Sequence, residues 1–214
     1  MLSLSKLFDP SDRSTDAREG DENAADDHAR LALASALVNA WDRRDSELGL
    51  ATHCGRVAER VTALAMHLGL PAPMRQALQR AALLHEVGMI GVPPELLAKP
   101  GPLTPEELAQ VHAQAEFSAS VAAATCGEVA ATLIRHQYDD YETLRRELGD
   151  DPDILLMAGL LNTADVMETV THPRPYQSAV PLAVRVQLLR AGAGSRFDPN
   201  AVDAYIATNQ AEDP

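Results

Sequence analysis

His85 and Glu86 adjoin in the stretch Ala-Ala-Leu-Leu-His-Glu-Val-Gly-Met-Ile-Gly-Val-Pro-Pro, residues 81–94. An imidazole and a carboxylate at the end of an apolar helix offer a nitrogen and an oxygen ligand side by side, and such a pair can hold a divalent metal. Two residues do not fill a coordination shell. Further ligands must come from other parts of the chain, so the surrounding elements decide what the pair can do.

The residues from Met74 to Leu84 read as a helix that delivers His85 at its C-terminal end. Before it, Val57, Val61, Leu64, Ala65 and Leu68 recur at helical spacing and stop at Gly69-Leu70-Pro71, and an earlier helix is expected over Arg30–Trp41 on Leu33, Ala36, Leu37 and Ala40. Both are expected to pack into a bundle. After the pair comes a loop with Pro93, Pro94, Pro100, Gly101 and Pro102. Thr104 then caps a helix with Pro105 at its first position and Glu107 completing a capping box, running toward about Ala124. Further helices are expected over Cys126–Gln137, Ile154–Thr171 and Leu182–Ala191, with a short one after Asp198-Pro199. No internal repeat and no strand-rich segment interrupts this pattern. The fold class is all-α, a bundle of about seven to nine helices.

The chain has 214 residues, 46% hydrophobic but only 4% aromatic, which suits one aliphatic core. Three regions are expected: an acidic, flexible leader over 1–29, a single helical domain over 30–209, and a tail over 210–214. A formal net charge of -13 argues against a long nucleic acid, whose binding rests on Lys and Arg contacts to phosphates. A small anionic ligand is still compatible with it, because a metal or a few local arginines overcome a global field. Cys54 and Cys126 lie in Ala-rich surroundings without metal-type spacing and read as buried free thiols. No apolar run approaches the ~20 residues that span a bilayer, and the N-terminus is too short and polar for a signal peptide, so a cytoplasmic protein without a membrane partner is expected. His28, His67 and His172 read as surface residues, and Arg56, Arg60, Arg75 and Arg80 as solvated helix faces.

Several stretches, taken in order, carry a family resemblance: Thr52-His53-Cys54-Gly55-Arg56-Val57, Leu83 to Gly88, Ile90-Gly91-Val92-Pro93, Leu97 to Thr104, Ala164-Asp165-Val166-Met167-Glu168, Arg174-Pro175-Tyr176 and Phe197-Asp198-Pro199. From about Ala51 to Ile206 the chain resembles the HD-GYP domains, a branch of the HD metal-dependent phosphohydrolases that hydrolyses cyclic di-GMP in bacteria. The resemblance implies an HD-domain helical bundle. It also implies His and Asp ligands for two or three divalent ions, typically iron or manganese, that activate water against a phosphodiester. Carried over position by position, the ligand set is His53, His85, Glu86, Gln114, Arg135, His136 and Asp165.

That set departs from the family pattern. Glu86 stands for an aspartate and reaches one methylene further. Gln114 replaces a histidine, and an amide is a poorer transition-metal ligand. Arg135 replaces the first of two paired histidines and puts a permanent cation where a second metal would sit. Met89 replaces a lysine, Gln177 a second basic residue after Arg174, and the Gly-Tyr-Pro loop is missing from His136–Arg146. The metal ligands retained are His53, His85, Glu86 and Asp165, with His136 as a fifth contact. Arg174 is left as the substrate-binding residue. Two occupancies follow: one divalent ion (Fe, Mn or Zn), or no metal, with Arg135 in the vacated position paired to Glu86 or Asp165. Two functions follow as well. One is a degenerate, non-catalytic module binding cyclic di-GMP, a related nucleotide or a signalling protein. The other is an active phosphodiesterase or one-metal phosphohydrolase in which Glu86 and Asp165 orient the attacking water.

Overall fold

Gly69, at φ 70°, ends one helix and prepares the next. The Leu70 amide reaches back to the Ala65 carbonyl at 2.9 Å and the Gly69 amide to Met66 at 3.0 Å, a closure that needs a left-handed residue. The structure is a computed structural model that describes Ala29, Ala32, Leu33, Ala36 and residues 50–171 and 180–210. Around this turn stand α1 (Leu50–His67) and α2 (Ala72–Leu84), followed by a 3₁₀ segment over Val87–Gly91. Next come the single turn α3 (Pro94–Leu97), then α4 (Pro105–His112), α5 (Gln114–Cys126), α6 (Glu128–Arg135) and α7 (Tyr141–Leu148). The series ends with α8 (Pro152–Thr171), α9 (Leu182–Gly192) and α10 (Pro199–Gln210). Among the described residues nine of these helices have eight residues or more and no strand occurs, so the fold is the all-α bundle expected.

α8 is the hub and packs on α1, α2, α6, α7 and α10. Every residue from Met157 to Ala164 is buried, so this part of the helix is enclosed on all sides, as a core helix must be. By length and composition α8 passes for a bilayer span, which the expectation of no such run did not foresee; its hydropathy reflects burial in the bundle instead. Its own Leu160 and, around it, Leu64, Leu78, Leu84 and Leu133 are wholly buried, each contributing about 1.5–3 kcal/mol by leaving water.

Three boundaries differ from the sequence expectation. The helix starting at Thr104 has the full capping box, but at Ala113 (ψ -18°) it divides. α4 buries none of its residues, whereas α5 turns Gln114, Ala115 and Ser118 inward. The helix expected from Cys126 begins at Glu128, because Gly127 at φ 93° breaks the chain. α7 was not foreseen as a separate helix; Asp140 caps it through the Thr143 amide at 2.8 Å, and Leu144 and Leu148 bury one face. Of the helix expected over Arg30–Trp41, Ala32, Leu33 and Ala36 are helical but exposed rather than packed. The leader up to His28, Arg174, Gln177 and the tail from Ala211 lie outside the described residues.

Candidate metal centre

α1 carries His53, the C-terminus of α2 carries His85, and Glu86 follows at φ -111°, ψ 7°, in the sparsely populated bridge region. α8 brings Asp165 to the same point, with its Oδ1 3.0 Å from His53 Nε2 and 3.5 Å from His85 Nε2. Glu86 Oε2 lies 3.9 Å from His53 Nε2, and one ligand atom each from His53, His85 and Glu86 falls within 4.8 Å of the others.

The His85 ring is fixed by its far nitrogen. Nδ1 lies 2.7 Å from the Ala82 carbonyl and donates its hydrogen there, so Nε2 is the ring nitrogen turned toward Asp165. His85 is wholly buried, and both its Nε2 and Glu86 Oε2 are buried without a hydrogen-bond partner. An orphaned buried acceptor costs about 1–3 kcal/mol. A cation coordinated by both atoms would remove that cost, so the donor set fits a divalent ion. Burial opposes ionisation of Asp165, yet the His53 hydrogen bond and the adjoining His85 ring hold its carboxyl well below the usual carboxylate range. The anion a metal requires is therefore already present. Cys54 Sγ sits 3.8 Å from His85 Nδ1, but burial pushes its thiol up, which keeps it a neutral neighbour rather than a thiolate ligand.

The positions that departed from the family pattern lie differently. Gln114 is committed to hydrogen bonds: Nε2 donates to the His85 carbonyl at 3.0 Å and to Tyr138 Oη at 2.8 Å, and Oε1 accepts from Ser118 at 2.7 Å. Arg135 does not enter the site. Its Nε lies 3.6 Å from Glu116 Oε2 on the surface, with side chains 38% and 74% exposed, so the pairing with Glu86 or Asp165 is corrected. A well-solvated carboxylate holds a guanidinium more cheaply than a buried one would. Met89 packs in a small apolar cluster with Val92, Leu96, Leu97 and Val111. His136 turns Nδ1 to Asp139 at 2.8 Å, with Glu147 at 4.0 Å, and forms its own group with these two acids.

Four residues that the sequence reading passed over brace the site. Gln137 Nε2 donates a second hydrogen bond to the His85 carbonyl at 3.0 Å, and Asn162 Nδ2 holds the Gln137 and Asp139 carbonyls, each at 3.1 Å. Ser118 Oγ accepts from the Gly88 amide at 2.8 Å. Tyr138 stacks on His112 with ring centroids 4.0 Å apart, and burial, then the charge of Glu86, pushes its phenol up and keeps it protonated. Only the pattern of polar residues at buried helix positions could have signalled them. Arg56 and Arg60 are also corrected: both pair with Glu168, buried at 1% exposure, rather than facing water.

The helical bundle brings two imidazoles and two carboxylates from three elements to one buried point, a His–carboxylate arrangement that could hold a metal ion. The HD domain family model matches residues 29–201. A probable cyclic di-GMP phosphodiesterase of Vibrio cholerae is 28% identical over 86% of the chain and 45% of the relative. A 3'3'-cGAMP-specific phosphodiesterase of the same species is 30% identical over 72% of the chain and 34% of the relative. A cyclic di-GMP phosphodiesterase of Thermotoga maritima is 29% identical over 72% and 43%. The chain thus spans less than half the length of these relatives. It belongs to the HD domain family and is of the HD-GYP type.

Proposed function

We propose that this protein holds a single divalent ion, Fe, Mn or Zn, at His53, His85, Glu86 and Asp165, and uses it to bind a cyclic dinucleotide of the cyclic di-GMP or cGAMP kind without efficient hydrolysis. The observation that carries this reading is the pair of buried ligand atoms without hydrogen-bond partners, His85 Nε2, 3.5 Å from Asp165 Oδ1, and Glu86 Oε2, 3.9 Å from His53 Nε2. A bound ion would neutralise phosphoryl charge and lower the pKa of its water. His85 is pre-oriented by Ala82, and Asp165 would balance the ion's charge from α8. The second half of a two-metal centre lacks support: the Gln114 amide is spent on main-chain and Tyr138 hydrogen bonds, and Arg135 stands at Glu116. Arg174 would supply a phosphate contact. A cytoplasmic setting without membrane or long nucleic acid belongs to the same proposal.

The test is incubation of Mn-loaded protein with cyclic di-GMP and with 3'3'-cGAMP, followed by chromatography and calorimetry. Binding that needs the metal, with no linear product, is the expected result. Linear product formed at a rate that Glu86→Ala abolishes would establish the hydrolytic alternative, in which Glu86 and Asp165 orient the attacking water. Metal loading without nucleotide binding would leave a signalling protein as the partner.

A further inference from the structure

A cavity of about 360 Å³ opens between α1, α8, α9 and α10, away from the metal ligands, and Arg56, Arg60 and Arg185 line it. Its size falls within the roughly 300–1,000 Å³ of small-molecule sites. Two acids share the wall, Glu168 and Glu59. Glu168 is matched by Arg56 and by Arg60 Nη2 at 3.1 Å, and Glu59 is exposed on α1.

Arg185 has a different environment. Its Nη1 donates to Thr171 Oγ1 at 2.8 Å and to Tyr205 Oη at 2.5 Å, both neutral, and among the described residues no carboxylate pairs with it. The Nε of Arg185 and that of Arg60 are both buried without a hydrogen-bond partner. Three guanidinium groups thus face two carboxylates in a half-open cleft, within a chain of net charge -13. The stacking of Arg60 on Tyr205, at 5.4 Å, explains where that side chain lies but leaves its Nε unsatisfied. Guanidinium groups in such surroundings match the oxygens of a phosphate, which takes two parallel N–H bonds from one group.

We propose that this cavity is a binding site for a small oxyanion of the phosphate class, either free phosphate or a terminal phosphomonoester. The Arg185 and Arg60 guanidinium groups on its wall supply the positive charge. Arg56 follows His53 by three residues and Glu168 follows Asp165 by three, so the site lies one helical turn along the two helices that carry those metal ligands.

The test is calorimetry on the full chain, stripped of metal and freed of chelator, with inorganic phosphate as probe and guanosine monophosphate in parallel. Saturable phosphate binding is expected, weakened about tenfold or more in Arg185→Gln, since a charge-assisted contact to the anion is lost. Ala63→Glu, an added carboxylate at an exposed position of the cavity wall, is expected to weaken it too without touching the arginine network. His85→Ala is expected to leave it unchanged. Tighter binding of guanosine monophosphate would assign the phosphomonoester as the source, and tighter binding of phosphate the free ion. The proposal is overturned if phosphate does not bind, if both cavity variants bind it like the parent, or if His85→Ala removes it.

Discussion

His85 is fixed at three points: its ring by the Ala82 carbonyl, its main-chain carbonyl by the side chains of Gln114 and Gln137. A ligand so restrained needs little ordering when an ion arrives. Gln114 ties this brace to Tyr138 and Ser118, so Gln114→Ala is expected to cost about 1–3 kcal/mol, read as a lower melting temperature, because buried partners are stranded. Gln114→His would strand the same groups, and its imidazole could not reach all three. Glu168 presents the same logic with full charges: Glu168→Ala leaves Arg56 and Arg60 half-buried without their carboxylate and is expected to cost about 3–5 kcal/mol in a denaturant titration.

Helix contacts at the level of elements explain which glycines and caps matter. Gly159 on α8 sits where a Cβ would come within 2.5 Å of the Asp198 Cβ at the start of α10, so Gly159→Ala is expected to separate these helices at a cost of about 1–3 kcal/mol. Gly88 has the same role in the loop after Glu86, where a Cβ would collide with the Gln114 carbonyl. Asp198 caps α10 through the Asn200 and Ala201 amides at 2.7 and 3.2 Å, yet burial raises its carboxyl above the ordinary value of 3.8. The sign follows directly. A pKa raised by folding gives stability that is full below 3.8 and is lost as pH rises through the folded value. Asp198→Asn keeps a good cap without the charge, so relative to the parent its melting temperature is expected to gain as pH rises from acid to neutral. These elements also show what the sequence made legible. Periodicity, Gly69 and the Thr104 capping box located α1, α2 and α4, because those are local signals. The break at Ala113 and the shortness of α7 depend on Gln114 turning inward and on Leu144 and Leu148 meeting α8, which no local window contains.

The molecule as a whole assembles its candidate site from residues 53, 85, 86 and 165, so distance along the chain hides the site while type and order reveal it. His53, His85, Glu86 and Asp165 were named from motif order. The bracing amides were not, because Gln and Asn at buried positions have no characteristic spacing. Nor was the fate of Arg135, which depends on Glu116 lying one helix away. On the proposed reading, one metal position of the family's larger centre is kept and hydrogen bonds from Gln114 stand in place of the rest. Titration of the metal-free chain with Mn, followed by elemental analysis and by paramagnetic resonance, tests it most directly. The account predicts one ion per chain, held by the parent and by Arg135→Ala, and lost in His85→Ala. Two coupled ions per chain, or an ion that survives His85→Ala, would contradict it.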